Sequence, residues 1–279
     1  MTSFDAIIIG MGQAGPSLAA RFSGAGMKVA VVENDKFGGT CVNNGCTPTK
    51  AMVASAYAAH MAKRAHEYGV AIDTMPRVEM KRVKARKDEM VHNSRNGLEK
   101  WIDGLMGTTV YRAHARFVGR TEIQVGSQIL RADRIFLNVG SRPRVPAIPG
   151  IDTVPYLTNA TMMDLDFVPP HLLVLGGSYV GLEFAQMFRR FGSQVTVVEM
   201  EPRVAASYRR RHPARFRSVR RRARSQYATV DAALGVALHL FLPYFASGRR
   251  GLTGSVLRGR QSGGDRVGRY ARRWSQARR

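Results

Sequence analysis

The only two cysteines of the 279-residue chain, Cys41 and Cys46, lie in one short stretch, Gly38-Gly39-Thr40-Cys41-Val42-Asn43-Asn44-Gly45-Cys46-Thr47-Pro48-Thr49-Lys50. Such a pair can serve as a structural staple, as half of a metal site or as a redox switch. Compartment narrows the choice. Residues 1–10 lack the charged n-region and long apolar h-region of a signal peptide. The apolar run 235–246 is shorter than a bilayer span. The chain therefore reads as cytoplasmic, with no membrane partner. In a reducing compartment a lone pair is catalytic or metal-binding before it is structural.

The elements that must position this stretch follow from periodicity. Apolar β-rich runs at Ala6–Ile9, Val29–Val32, Arg134–Leu137, Leu172–Leu175 and Val195–Val198 alternate with helical patterns at Gly15–Gly24 and Val180–Phe191. Two longer helices are expected at Lys50–Tyr68 and Val83–Leu105, and antiparallel strands over Thr109–Leu130. The stretch from Gly140 to Gly150 is dense in Pro and Gly and suits a linker. The fold class is α/β, with two Rossmann-like domains of which the second is incomplete: 1–150, then the start of another at 151–203.

Each domain opens on a dinucleotide fingerprint. After the first strand come Gly10, Gly12 and Gly15: the first for a tight turn, the second for backbone approach to a pyrophosphate, the third for close helix–strand packing. Pro16 is tolerated in the first helical turn, where its missing N–H has no partner to lose. Glu33 ends the second strand 23 residues after Gly10, where an acid accepts from a ribose hydroxyl. The arrangement repeats as Gly176, Gly177 and Gly181, with Ser178 in the middle slot and Glu199 again 23 residues on. Two such sites suggest one flavin and one nicotinamide dinucleotide. An acid at Glu199 favours NAD over NADP, with Arg203 nearby as the opposing feature.

In its joined motifs the chain resembles the pyridine nucleotide–disulfide oxidoreductases, the flavoproteins that include dihydrolipoamide dehydrogenase, glutathione reductase and mercuric reductase. The motifs are Ile7–Gly15 with Val31-Val32-Glu33, the Gly38–Lys50 stretch, Ile135–Pro143, and Leu172–Ala185, in that order over about 1–203. The mercuric reductase-like branch is nearest, without that branch's extra N-terminal metal-binding domain and C-terminal cysteine pair. The resemblance implies an enzyme with FAD and NAD(P)H. Gly10, Gly12, Gly15 and Glu33 would hold the ADP half of FAD, Gly39 and Thr40 its pyrophosphate, and His114-Ala115 its adenine. Gly140 would match the glycine after the strand that returns toward FAD. Cys41 and Cys46 would be the redox-active disulfide, Cys46 against the flavin and Cys41 toward a small disulfide, thiol or soft-metal substrate. Lys50 would sit near the flavin and pair with Glu183, and Tyr179 would gate the nicotinamide pocket.

Local physics agrees with that use. On a regular helix two residues five apart point about 140° from each other. Gly45 loosens the backbone between them, and Pro48 withholds the donor that would bond the carbonyl of Asn44. The positive end of a helix starting here lowers a thiolate pKa. Lys50, four residues past Cys46, stands on the same face one turn later. A structural zinc takes four N/S ligands in tight spacings, and no further Cys or His lies close by. His60 and His66 read as solvent-facing, so no metal site is expected.

The net charge of +23 resembles a nucleic-acid signature until it is divided. Residues 204–279 hold 19 Arg and +17 of it, leaving +6 for 1–203. That tail contains no Ile, Lys, Asn, Met, Glu or Cys, and includes Arg209-Arg210-Arg211 and Arg220-Arg221-Arg222. It reads as a disordered Arg-rich segment. The joint loss of residues with AT-rich codons fits an out-of-frame read through GC-rich DNA, which the coding DNA would reveal. The family's later segments, namely the flavin-binding Gly-Asp and a C-terminal homodimer domain with its His–Glu pair, are not recognisable in 204–279. His212 and His239 lie in no such motif. Two other functions follow: an inactive, C-terminally truncated relative, or a nucleic-acid-binding protein acting through the tail, which would show steep salt dependence.

Overall fold

The structure is a computed structural model that describes residues 1–199, Val204 and Leu240–Leu242. The expectations for the Arg-rich tail otherwise lie outside the described residues. The chain divides into two compact units, Met1–Ala54 with Lys81–Arg142, and Ser55–Met80 with Pro143–Arg279.

The first unit begins with β1 (Thr2–Ser3), β2 (Ala6–Ile9), α1 (Gly15–Gly24) and β3 (Val29–Glu33). Next come a short helix α2 (Gly39–Asn43), helix α3 (Cys46–Lys63), whose later half belongs to the second unit, and α4 (Met80–Asp103). Five strands close the unit: β4 (Thr108–Arg112), β5 (Ala115–Phe117), β6 (Glu122–Val125), β7 (Gln128–Arg131) and β8 (Ile135–Leu137). Strands β4-β3-β2-β8 form one sheet in that order, all parallel, and β1-β7-β6-β5 form another. The first order is that of a dinucleotide-binding half, and the chain reverses direction across the sheet between β2 and β8.

One expectation is corrected here. Residues from Thr109 do not open the antiparallel meander, because β4 pairs parallel with β3, Val29↔Thr108 through Glu33↔Arg112. Only β5, β6 and β7 are antiparallel. An alternating pattern suits a strand with one face half-exposed in either sheet, so alternation alone does not report pairing direction. The long helices also start earlier than expected, at Cys46 and Met80, and Ala65–Tyr68 is a separate 3-10 turn.

The runs Ala-Ile-Ile-Ile and Val-Ala-Val-Val are apolar throughout because both faces of the parallel sheet are covered. Ile7, Ala30 and Val32 pack with Phe4, which follows β1, and with Ile123, Val125 and Leu130 of the second sheet. Ile8, Val29 and Val31 face the other way, onto Ala19 of α1, Ile102 of α4 and Phe37.

The second unit contains β9 (Leu157–Thr158), β10 (His171–Leu175), α5 (Tyr179–Phe191), β11 (Gln194–Val198) and β12 (Leu240–Leu242). Its sheet runs β11-β10-β12-β9, all parallel. Strand β12 belongs to the stretch in which the sequence suggested no regular element. The later half of α3 lies in this unit, where Lys63 Nζ donates to the carbonyl of Arg190 at 3.0 Å and Arg190 lies 5.7 Å from the Tyr57 ring.

His60, expected to face solvent, is instead half-buried beside Tyr57, with ring centres 6.5 Å apart. Burial, and then the positive charges of Arg190 and Arg64, hold its pKa below the ordinary 6.5. The folded protein thus takes up this proton less readily than the unfolded chain. Stability is full above pH 6.5 and declines as the pH falls below it. Urea midpoints measured at about pH 7.5 and about pH 5.5 should differ less in His60→Gln than in the parent. An equal acid loss in both proteins would contradict this.

Candidate functional site

The first site gathers at the carboxyl ends of β2 and β8. Gly10 (φ 97) turns the chain sharply after β2, and its N–H donates to the carbonyl of Val32 at 2.7 Å. A Cβ on Gly10 would lie 2.3 Å from the carbonyl oxygen of Asn138. A Cβ on Gly15 would lie 2.5 Å from the carbonyl oxygen of Gly10. These two glycines therefore serve packing: strand end against strand end, and helix against turn. Gly12 differs. It sits against Gly39, whose own Cβ would come within 2.9 Å of the Gly12 Cα. Backbone thus meets backbone at the N-terminus of α1, where helix N–H groups and the helix dipole favour an anion.

Glu33 closes the loop from the other side. One carboxylate oxygen accepts from the Met11 N–H at 2.8 Å, the other from the N–H groups of Asn34 and Asp35 at 2.9 and 3.0 Å. A carboxylate has about four lone-pair sites, so capacity for a ribose hydroxyl remains. The expected ribose acid is also the brace of the glycine loop. Asn138 is a second brace that the sequence reading passed over in favour of Gly140. Its side-chain amide donates to the Gly10 carbonyl at 3.2 Å and its backbone N–H to the Ile9 carbonyl at 2.7 Å. Gly140 has φ 67 and an open Cβ position.

The cysteine stretch leaves this loop directly. Gly38 donates to the Met11 carbonyl at 2.7 Å, and α2 begins at Gly39. The helix ends at Asn43, Asn44 and Gly45 follow, and α3 begins at Cys46. Cys41 and Cys46 therefore sit on two different helices, and the break brings them into a disulfide with Cα atoms 4.6 Å apart. Gly45 is required at the break, since a Cβ there would lie 2.8 Å from the Thr40 carbonyl oxygen. Cys46 is exposed at the first position of an 18-residue helix, and Cys41 is half-buried.

Asn43, also missed from sequence, pins α2 by donating from its amide to the carbonyls of Phe37 and Gly39, both at 2.9 Å. Arg95 of α4 donates to its Oδ1 at 3.4 Å. The buried Oδ1 of Asn44, between the cysteines, has no hydrogen-bond partner. A polar residue inside a cysteine loop was the available signal for both. Lys50 is exposed in the first half of α3. His114 and Ala115 follow the end of β4, whose Arg112 is in register with Glu33.

The second unit repeats the first loop. Gly176 (φ 99) donates to Val198 at 2.7 Å, as Gly10 does to Val32, and a Cβ on Gly181 would lie 2.1 Å from the Gly176 carbonyl oxygen. The Gly177 N–H donates to Glu199 Oε2 at 2.7 Å, as Met11 does to Glu33. Tyr179, 69% exposed, starts α5, and Glu183 lies one turn further along. Lys50 and Glu183 belong to different units. Among the described residues no group of three or more His, Cys, Asp or Glu is placed to hold a metal, and no helix is long and apolar enough to cross a membrane.

The described residues thus hold two glycine loops on parallel sheets, one of them joined to a disulfide. The chain belongs to the pyridine nucleotide-disulphide oxidoreductase family, whose model matches residues 4–226 and so extends past Arg203. It is 36% identical over 206 residues to the probable pyridine nucleotide-disulfide oxidoreductase RclA of Escherichia coli, covering 71% of this chain and 43% of RclA. It is 34% identical over 282 residues to a mercuric reductase of Streptomyces lividans, covering 91% of this chain and 58% of that protein. A dihydrolipoyl dehydrogenase of Chlamydia pneumoniae is 33% identical, with 70% and 42% covered. Among solved structures, the Cu(II) complex of the HOCl-induced flavoprotein disulfide reductase RclA matches with a TM-score of 0.64 at 34% identity, over 73% of this chain and 44% of that one. The chain thus spans about half the length of these relatives.

Proposed function

We propose that this chain binds FAD in its first unit and NAD(P)H in its second, and passes electrons from the nicotinamide to the Cys41–Cys46 disulfide. The observation that carries the proposal is the contact of Gly12 with Gly39, which places the disulfide loop directly against the loop that would receive a dinucleotide pyrophosphate. The residues fit the group. The approach to the α1 N-terminus is lined by backbone, Glu33 retains acceptor capacity, and neither Gly12 nor Gly39 carries a side chain that would fill the cradle.

FAD, when bound, would supply the conversion of a hydride into two electrons deliverable to a disulfide. The protein residues do the rest. Gly10, Gly12, Gly15 and Glu33 hold the ADP half, Gly39 and Thr40 the pyrophosphate, and His114, Ala115 and Gly140 border the cofactor. Gly176, Gly177, Gly181, Glu183 and Glu199 frame the nicotinamide dinucleotide, with Tyr179 at its entrance and Glu199 selecting NAD. Lys50, one turn past Cys46, sets the charge beside the flavin. Two electrons and one proton convert Cys41–Cys46 into one thiol and one thiolate. The helix end at Cys46 favours the thiolate there. Transfer of the remaining proton from Cys41 to Cys46 frees the Cys41 thiolate, which attacks a substrate disulfide, expelling one thiolate and leaving a mixed disulfide. Cys46 gives that proton to the departing thiolate and attacks Cys41, expelling the second thiolate and restoring the original bond. A soft metal ion bound by both thiolates is the other substrate class, as the name of the mercuric reductases suggests.

Purified full-length chain should carry one FAD per polypeptide and oxidise NADH faster than NADPH in the presence of a small aromatic disulfide. Protein free of flavin and without turnover would overturn this reading in favour of an inactive relative.

A further inference from the structure

Arg112 lies outside every motif that carries the family resemblance, yet it occupies a defined place in the cofactor-binding unit. It ends β4, and its Cα is in register with that of Glu33, the acid that braces the glycine loop. His114 and Ala115 follow Arg112 two and three residues later. Ligands of parallel α/β sheets bind outside the carboxyl ends of the strands, which is where both Arg112 and Glu33 stand. The guanidinium is held on two sides. Its Nη2 donates to both carboxylate oxygens of Asp103, at 3.1 and 2.8 Å. Its central carbon lies 5.4 Å from the centre of the Phe37 ring. Phe37 is fully buried and immediately precedes Gly38-Gly39.

Both sides of the Asp103–Arg112 pair are about half exposed, 46% and 53%. A surface pair of this kind contributes little to stability. Its effect is orientation: an arginine that would sample many rotamers is fixed beside the glycine loop, with neither Nε nor Nη1 used by Asp103. Guanidinium planes stack on aromatic rings, and one ring is already present on the protein side.

On the FAD reading above, we propose that Arg112 binds the adenosine half of the dinucleotide, its guanidinium plane serving as a platform for the adenine between Phe37 and solvent. Asp103 acts as its positioning residue. The interaction requires the plane, not only the charge, so lysine does not replace it.

The test is the affinity of the full chain for ADP and for FAD by titration calorimetry, with unfolding in urea followed on the same samples. Arg112→Ala and Arg112→Lys should each weaken both ligands about tenfold. Their urea midpoints should stay near the parent value. Asp103→Asn, which only releases the guanidinium, should weaken ADP binding by a smaller factor. Parent-like affinity for ADP in Arg112→Ala or in Arg112→Lys would overturn the proposal alone. A parent protein that binds neither ADP nor FAD would overturn the cofactor reading and this proposal with it.

Discussion

Replacing Gly10 by Ala is expected to destabilise the protein by more than about 3 kcal/mol and to abolish flavin binding. Two independent effects combine. A backbone with φ 97 is one that alanine adopts at a cost of about 1–3 kcal/mol. The added methyl would also lie 2.3 Å from the carbonyl oxygen of Asn138. That carbonyl has little room to retreat, because the Asn138 N–H is bonded to Ile9 at 2.7 Å and its side-chain amide to Gly10 itself. Relief would require separating β2 from β8 at the point where the cofactor would sit. Against a total stability of about 5–15 kcal/mol the loss is large. Gly24→Ala is the control: it lies in α1, with nothing within 4 Å of its Cβ position. There alanine should stabilise by about 0.5–1 kcal/mol. Urea unfolding followed by far-UV circular dichroism measures both. A Gly10→Ala protein as stable as the parent would show that the turn relaxes in a way the structure does not contain.

The fingerprints were legible because their constraints are local. A tight turn, a close approach and a helix packed on its own strand each demand glycine within a few residues, and β2 and α1 have the bounds that periodicity assigns. What was not legible depended on contacts across the chain. Thr108–Arg112 alternates as an edge strand of the meander would, and only its pairing with β3 makes it part of the parallel sheet. Asn138 braces Gly10 from 128 positions away, a relation that no spacing within one motif reports. Glu33 was singled out by its spacing, but its bonds to Met11, Asn34 and Asp35 required the folded loop. For the disulfide, Gly45 and Pro48 pointed to a helix break, and the separation into α2 and α3 is the form that break takes.

The second large effect is expected for Cys46→Ser. The variant should bind FAD as the parent does, because the pyrophosphate cradle of Gly12 and Gly39 is untouched. Its NADH-driven disulfide reduction should fall on the order of a thousandfold or more, since the remaining thiol has no partner with which to complete the exchange. Hydride transfer to the flavin should persist, so electrons would accumulate there. Cys41→Ser should instead leave Cys46 as a thiolate at the start of α3 and show a thiolate–flavin charge-transfer band before any reductant is added. Full disulfide reductase activity in Cys46→Ser would remove the pair from the reaction.

The central claim is that electrons pass from nicotinamide to the Cys41–Cys46 pair within this chain, and an anaerobic titration of the flavin-loaded protein with NADH tests it directly. Free thiols counted during the titration should rise from none to two per chain as a charge-transfer band appears. Flavin that bleaches fully while the thiol count stays at zero would contradict the account.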